Sequence, residues 1–504
     1  MDALLGIHAL LTFILLSSGP ISAQQGVNNL WLMGFDNDAG IPWGGTNIDF
    51  ITGTANIYYQ YRAIGFKRTT ANIADPSGNL LFSTNGAFIA NAGGDTLLNG
   101  TGLNPSNYTS MFPEGLYISQ ASLILPKPES SNLYYLFHGT IDNQITVVAE
   151  HLYVTTIDMD LDDGLGGVVT KNQSLLDDNL NEGRITAVRH ANGRDWWVFC
   201  HKANSNLFYR FLVTPQGISM DGTQAIGINR PPDHGQVCFS PDGTKFAYYW
   251  GYIDDLEIFN FDRCTGLFSD PVHILIDDYD QMGGVAFSPN SRYLYVSSVE
   301  DVYQYDTEAV DIEASMLHIA HWDGFYSPGP PFANLFDIAQ LAPDGKIYIG
   351  TGNGTDRLHV INDPDLPGLT CDIQQHAITL PTYNTNSLPN HPNYYLGPMD
   401  GSICDSLGIN TAVAPLEGPA VLREGVRVSP NPSNGRFTLN YTAHTVEGRL
   451  EVLDAGGRII HRRRLAQWTT VHQLDLTGQA PGMYHCRLSW GGQSATTRLI
   501  IQQE

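Results

Sequence analysis

Residues 158–164 read Asp-Met-Asp-Leu-Asp-Asp-Gly, so that Asp158, Asp160 and Asp162 alternate along one short segment. Alternating carboxylates can converge on one hard cation while a glycine relieves the turn, which makes this the metal candidate of the chain, with calcium as the ion. The spacing departs from an EF-hand loop. Counting from Asp158, Asp163 takes the sixth position where glycine belongs, and Val169 takes the twelfth where a bidentate glutamate belongs. The competing reading is a solvated acidic turn between strands. A second set is His138, His190, His201 and His234, which fall near strand ends and, with Arg189, Asp195 and Asp242, would form a polar funnel at a central opening. General acid–base work requires such a group within hydrogen-bond reach of a substrate, and histidines bonded within the fold are the simpler account. A third set is the aromatic neighbours Tyr58 and Tyr59, Tyr134 and Tyr135, Trp196 and Trp197, Tyr248 to Trp250, and Tyr394 and Tyr395. Such rings can stack on sugars, but neighbours on a strand point to opposite faces, which assigns one of each pair to the core.

Sharp catalytic signatures are missing: there is no GxSxG elbow, no HExxH and no Walker loop. The run Gly350-Thr-Gly-Asn-Gly354 is glycine-rich but lies between two strands, where no helix N-terminus is available to hold a phosphate. Six cysteines stand at 200, 238, 264, 371, 404 and 486 without a CxxC pair, which argues against zinc and against a disulfide-built fold. Cys371 with Cys404 is the first expected bridge and Cys200 with Cys238 the second.

The elements that would position these residues repeat. Ala74-Asp-Pro-Ser-Gly-Asn, Ser240-Pro-Asp-Gly-Thr, Ser288-Pro-Asn-Ser-Arg and Ala342-Pro-Asp-Gly-Lys are versions of one tight turn that leads into an apolar strand. Proline presets φ, Asp or Asn bonds its own backbone, and glycine accepts positive φ. Degenerate copies begin at Pro126 and Asn192, giving anchors about every 48 to 65 residues. Four short strands fit such a unit, which predicts an all-β fold of the β-propeller type, with seven blades and six as the alternative. The N-terminal strand Leu30–Phe35 has no anchor of its own, so closure is expected to combine it with residues near Leu388 to Leu396.

Both ends differ from this body. Ala3 to Leu16 is an apolar run of signal-peptide length followed by small residues up to Ala23, although the leading segment carries Asp2 and no Lys or Arg. That run is too short to span a membrane, and no later one is longer, so no transmembrane segment is expected in the mature chain. Residues 406–424 read as a linker. Beyond it lie Pro430-Asn-Pro-Ser-Asn-Gly435, then Arg449-Leu-Glu-Val-Leu-Asp-Ala-Gly-Gly457, then Pro481-Gly-Met-Tyr484, the pattern of a small Ig-like β-sandwich. From Ala420 onward there are ten arginines, no lysine and six acids, about +4 against a total of −25, which leaves about −29 for the rest. An acidic body excludes nucleic acid as a partner, since phosphates require clustered cations.

Those three tail motifs resemble the C-terminal sorting domain (type A, Por) of the Bacteroidetes type IX secretion system, over residues 425–504. The body, through Leu30-Trp-Leu-Met-Gly-Phe-Asp36, Gly44-Gly-Thr-Asn-Ile-Asp-Phe50, Gly78–Gly86, Thr186–Val198 and Leu388–Gly397, resembles exported Bacteroidetes propeller proteins with YVTN- and WD40-like repeats. The resemblance implies a signal peptide at 1–23, a propeller at 24–405 and the secretion machinery as partner of 425–504. It also implies delivery to the cell surface or medium, with the tail removed and the body released or tethered to lipopolysaccharide. The family carries no settled activity, so function is read from the residues. The expectation is a recognition module that binds an extracellular glycan or protein through loops at one mouth and lacks a catalytic centre or an identified cofactor. The alternatives are an exported polysaccharide- or peptide-degrading hydrolase or lyase with an axial active site, and a structural envelope component or adhesin.

Overall fold

The computed structural model describes residues 26–251, 255–276, 278, 282–399, 401–405, 426–441, 446–454, 458–466, 471–490 and 493–502. The expected signal peptide and the expected linker lie outside these residues. The chain divides into two compact units, Met1–Pro398 and Met399–Glu504.

The first unit is a seven-bladed β-propeller. Its seven antiparallel sheets follow one another along the chain, two of three strands and five of four. The innermost strands are Leu30–Met33, Ala71–Ala74, Ser122–Pro126, Thr186–Arg189, Gly235–Phe239, Gly283–Phe287 and Ala339–Leu341, and they define blades 1 to 7. Every predicted anchor turn falls between the first and second strand of a blade, in blades 2 to 7. Its acceptor works as the sequence implies: Asp75 Oδ1 receives the Ser77 and Asn79 amides at 2.8 and 2.9 Å, and Asp242 Oδ1 receives the Thr244 amide at 3.0 Å. The apolar runs 256–261, 302–305 and 358–361 lie in the third strands of blades 5, 6 and 7. The outermost strands, Leu267–Leu275, Leu317–His321 and Ile373–Asn384, are half exposed and so carry no apolar run that would announce them.

Closure does not follow the expectation. Leu30–Met33 pairs with Thr46–Asp49 inside its own three-stranded sheet. Blade 7 meets blade 1 by packing: the Trp31 ring stands edge-on to Tyr348 at 5.7 Å and to Phe50 at 5.1 Å, and Thr382 Oγ1 lies 2.6 Å from Thr46 Oγ1. Leu388 joins that apolar cluster, but the residues after it add no strand to blade 1.

Cys200, Cys238 and Cys371 are free thiols, so neither expected bridge forms; Cys264 and Cys404 are the disulfide-bonded cysteines. Cys200 lies on the second strand of blade 4, Cys238 on the inner strand of blade 5 and Cys371 in the turn before the outer strand of blade 7, and burial raises each of their pKa values.

The second unit contains a two-sheet β-sandwich of seven strands, three in one sheet and four in the other. Phe437, Leu439, Leu450, Val452, Leu474, Cys486, Leu488 and Leu499 form its core. No helix among the described residues is long and apolar enough to cross a membrane.

Candidate functional site

A propeller ordinarily leaves an axial channel between its innermost strands. Here side chains and one irregular segment fill it. Gln120, just before the inner strand of blade 3, uses its amide as a substitute peptide: Nε2 donates to Val237 O and Oε1 accepts from Val237 N, both at 2.9 Å, in blade 5. Gln236 does the same from blade 5, donating to Ala339 O at 2.6 Å and accepting from Val285 N and Ala339 N. The bonds from Gln120 to Val237 and from Gln236 to Ala339 each reach the second blade along, so they run across the axis. Residues 385–396 then thread the channel from one mouth to the other. Asn386 N donates to Lys67 O and Asn390 Nδ2 to Ser122 O and Ile185 O. Further along, Tyr394 Oη donates to Ile124 O, and Asn393 Nδ2 to Pro241 O beyond the far end of blade 5's inner strand. Among the described residues, the space left includes a cavity of about 70 Å³ lined by Gln120, Val237, Phe287, Leu341, Asn390 and Pro392, and one of about 10 Å³ beside Arg68, Gln236 and Leu388.

The expected funnel is divided between the two ends of this filled axis. Arg189, His190, Asp195 and Asp242 lie at the end where inner strands finish, and they are structural. His190 bonds Cys264 O at 3.1 Å and the Asn192 amide, Asp195 binds Asn192 and Arg194, and Arg189 lies 3.9 Å over the Trp196 ring. His138, His201 and His234 lie toward the opposite end. His138 is fully buried between Asn104 Oδ1 and Thr155 Oγ1, each at 2.8 Å, and burial pushes its pKa down to about 3.

The end where inner strands begin gathers charged groups from several blades. Arg68 of blade 2 reaches Asp337 of blade 7 at 3.0 Å, and Met282 Sδ of blade 6 at 3.6 Å. Glu182, before the inner strand of blade 4, lies 2.9 Å from His234 Nδ1, before that of blade 5; the carboxylate is buried and the imidazole half exposed. Tyr108, on the short helix Asn107–Met111, has its hydroxyl pKa pushed up to about 12, first by burial and then by Glu182. Beside this pair sits Arg184, 3% exposed, with Nε, Nη1 and Nη2 all lacking a hydrogen-bond partner. Its guanidinium lies 5.3 Å from the Tyr248 ring, and a side chain on Gly235 would begin 2.2 Å from Tyr249 O and 3.0 Å from Arg184 Nη2, so that position takes glycine. Arg230 covers Tyr248 at 4.3 Å and is ion-paired with the buried Glu257. His201, between these arginines, is held neutral, its pKa well below the ordinary value through burial first and then the charges of Arg230 and Arg184.

Of the remaining sequence candidates, Asp158 Oδ1 and Asp160 Oδ2 both accept from Asn132 Nδ2, at 2.9 and 2.6 Å, so an amide stands between them; Asp162 lies in the following turn at positive φ. Eight of the eleven aromatics singled out are core. Trp196, Trp197, Tyr134, Tyr135, Tyr248, Tyr249, Trp250 and Tyr394 are all buried, and of the aromatics singled out only Tyr58 and Tyr395 reach the exposed class, at 37% and 39%. Sequence reasoning missed Arg68, Glu182, Arg184, Arg230, Gln120 and Gln236. The available signal was positional: Arg68, Gln120, Glu182, Arg184, His234 and Gln236 each stand at the start of an inner strand.

No curated protein matches the chain. Among solved structures it is similar to a protein from Lactobacillus plantarum, with 14% identity, a TM-score of 0.41 and coverage of 71% of this chain and 98% of that one. It is also similar to the periplasmic gluconolactonase of Pseudomonas aeruginosa, with 11% identity, a TM-score of 0.40 and coverage of 72% and 98%. A functionally unknown protein from Desulfotomaculum acetoxidans gives 11%, 0.39, 72% and 99%. Residues 427–502 match the secretion system C-terminal sorting domain, and the protein is therefore one exported by the type IX system to the cell surface or extracellular space.

Proposed function

We propose that the charged mouth of the propeller recognises an anionic group, a carboxylate on an extracellular glycan or protein, and that it binds without turnover. The observation that supports this is Arg184. A buried guanidinium without a partner costs several kcal/mol, a cost removed when the mouth opens around Arg184 and a bound carboxylate supplies charge-assisted hydrogen bonds. The filled axis works against an axial active site, and the burial of the aromatic pairs works against recognition by sugar stacking. Residues 1–23 act as the signal for the first export step. The tail is removed after the second, and the body is released or held on lipopolysaccharide.

The test is a screen of the purified mature protein against acidic and neutral glycans and peptides, read for binding and for product. Acidic ligands should be selected, and Arg184→Met should weaken them by about 30-fold or more, the equivalent of ~2 kcal/mol for a truncated buried charge pair. Arg189→Met at the opposite mouth should leave them unchanged. Equal binding of neutral ligands, or full binding by Arg184→Met, would overturn the reading. Glu182 and His234 favour a second reading: a buried carboxylate holding Nδ1 of a half-exposed imidazole leaves Nε2 to act as a general base. Product formation lost in His234→Ala would decide for that hydrolase.

A further inference from the structure

Blade 6 ends in the hairpin of Asp301–Asp306 and Leu317–His321. His318 and His321 are three residues apart, which on a regular strand would put them on opposite faces. The pairing is not regular. Asp301 faces His321 and Val302 faces Ala320, but Tyr303 faces His318, so one residue is inserted at Ile319. A β-bulge of this kind re-aims side chains and is over-represented beside functional sites. Its effect here is to bring both imidazoles to the face that carries Asp301. His318 Nε2 then lies 2.6 Å and His321 Nδ1 2.8 Å from the same oxygen, Asp301 Oδ1, and the three potential ligand atoms all fall within 4.8 Å of one another.

From this geometry we infer that Asp301, His318 and His321 form a surface site for a borderline divalent ion of the zinc class. Two imidazoles and one carboxylate suit zinc, copper or nickel, whereas calcium and magnesium take oxygen ligands. Bonds of about 2.0 to 2.2 Å to a shared tetrahedral ion place ligand atoms roughly 3.3 to 3.6 Å apart, so each imidazole nitrogen must withdraw from Asp301 Oδ1 by about 0.5 to 1 Å. The two rings can make that adjustment, being 49% and 59% exposed, while Asp301 at 17% is held by the sheet. Three protein ligands leave a coordination position open to solvent, where a water or a ligand side chain of another molecule completes the shell. Asp301 and His321 lie at the same end of blade 6 as Gly283, so the site opens on the face of the charged mouth. It stands independently of the ligand assigned to that mouth.

The experiment titrates the chelator-treated mature protein with Zn²⁺ by calorimetry and with Co²⁺ by visible absorption. One ion per chain is expected, with Co²⁺ bands of a mixed nitrogen and oxygen shell. His318→Ala with His321→Ala should weaken binding by about tenfold or more with the unfolding midpoint unchanged, since both rings are on the surface. Asp301→Asn, of the same shape, provides a second test that does not depend on the histidine pair and should also weaken binding. His151→Ala with His376→Ala, which removes other surface histidines, should leave binding intact. Absence of stoichiometric uptake by the unaltered protein would overturn the assignment, as would binding that survives loss of His318 and His321.

Discussion

His138 and His359 show how far a residue's role departs from what its type suggests. Both are fully buried in the body and held neutral by burial, at about 3 and about 4. Each also has a neutral-ring bonding pattern, His359 with Nε2 toward Leu335 O at 2.9 Å and Nδ1 accepting the His376 amide at 3.0 Å. In the unfolded chain both titrate near 6.5. Their folded values lie below that, so the stability they contribute is fully present above about pH 6.5 and is lost as pH falls toward 4, where only the unfolded chain binds the extra proton. Each contributes a slope of up to about 1.4 kcal/mol per pH unit in that window. His138→Gln should flatten the acid limb by that amount relative to the unaltered protein while lowering stability at pH 7. Urea unfolding of both proteins at pH 7, 6 and 5 measures it, and parallel limbs would show that His138 is not a neutral buried group. A satisfied structural histidine was legible as the simpler account, because sequence shows no group held within hydrogen-bond reach of a substrate. Arg184 was not legible, since what marks it is the absence of partners in space, and sequence does not report that.

At the scale of elements, anchor turns and filled axis represent two kinds of information. The turns are local: Pro, Asp or Asn and Gly within five residues fix a reversal between first and second strands, so six blades could be placed from sequence. The segment 385–396 is non-local, its bonds to Ser122, Ile124, Ile185 and Pro241 joining residues 152 to 270 positions apart, with no periodicity and no strand signal. It was consequently read as closure material for blade 1. Asn390 shows the consequence. Its Nδ2 satisfies Ser122 O at 3.1 Å and Ile185 O at 2.9 Å, and its Oδ1 accepts from Gln120 at 3.2 Å. Asn390→Ala strands two buried carbonyl groups of different blades and should cost about 2–4 kcal/mol. Tyr395→Phe, a few residues along and exposed, should stay within about 0.5 kcal/mol. The shift in denaturation midpoint of the two variants compares them directly. Equal shifts would mean that the segment covers the channel without holding the blades.

The two units of the whole molecule have separate tasks, and the tail was the more legible because its motifs are short and ordered. Pro430–Gly435 joins the first two sandwich strands, and Asn431 fastens that turn to the last strand, donating to Arg498 O at 2.7 Å and accepting the Ile500 amide at 2.8 Å. Asp454 accepts the Arg458 amide at 2.9 Å, and Gly482 opens the strand Gly482–Trp490. The motif residues therefore shape a sandwich with its own apolar core, distinct from the acidic propeller. A chain ending at residue 405 keeps every blade and the axial segment, so it should fold yet remain in the periplasm. Residues 426–504 fused to a periplasmic reporter should carry that reporter outside the cell. Leu450→Asp places a charge at a fully buried core position, where it is destabilising by several kcal/mol, and should abolish delivery while the propeller remains folded. Immunoblots of periplasm, cell surface and medium score all three. Delivery of the Leu450→Asp protein at the unaltered level would show that export reads the linear motifs alone, whereas its loss together with retained propeller stability assigns recognition to the folded sandwich.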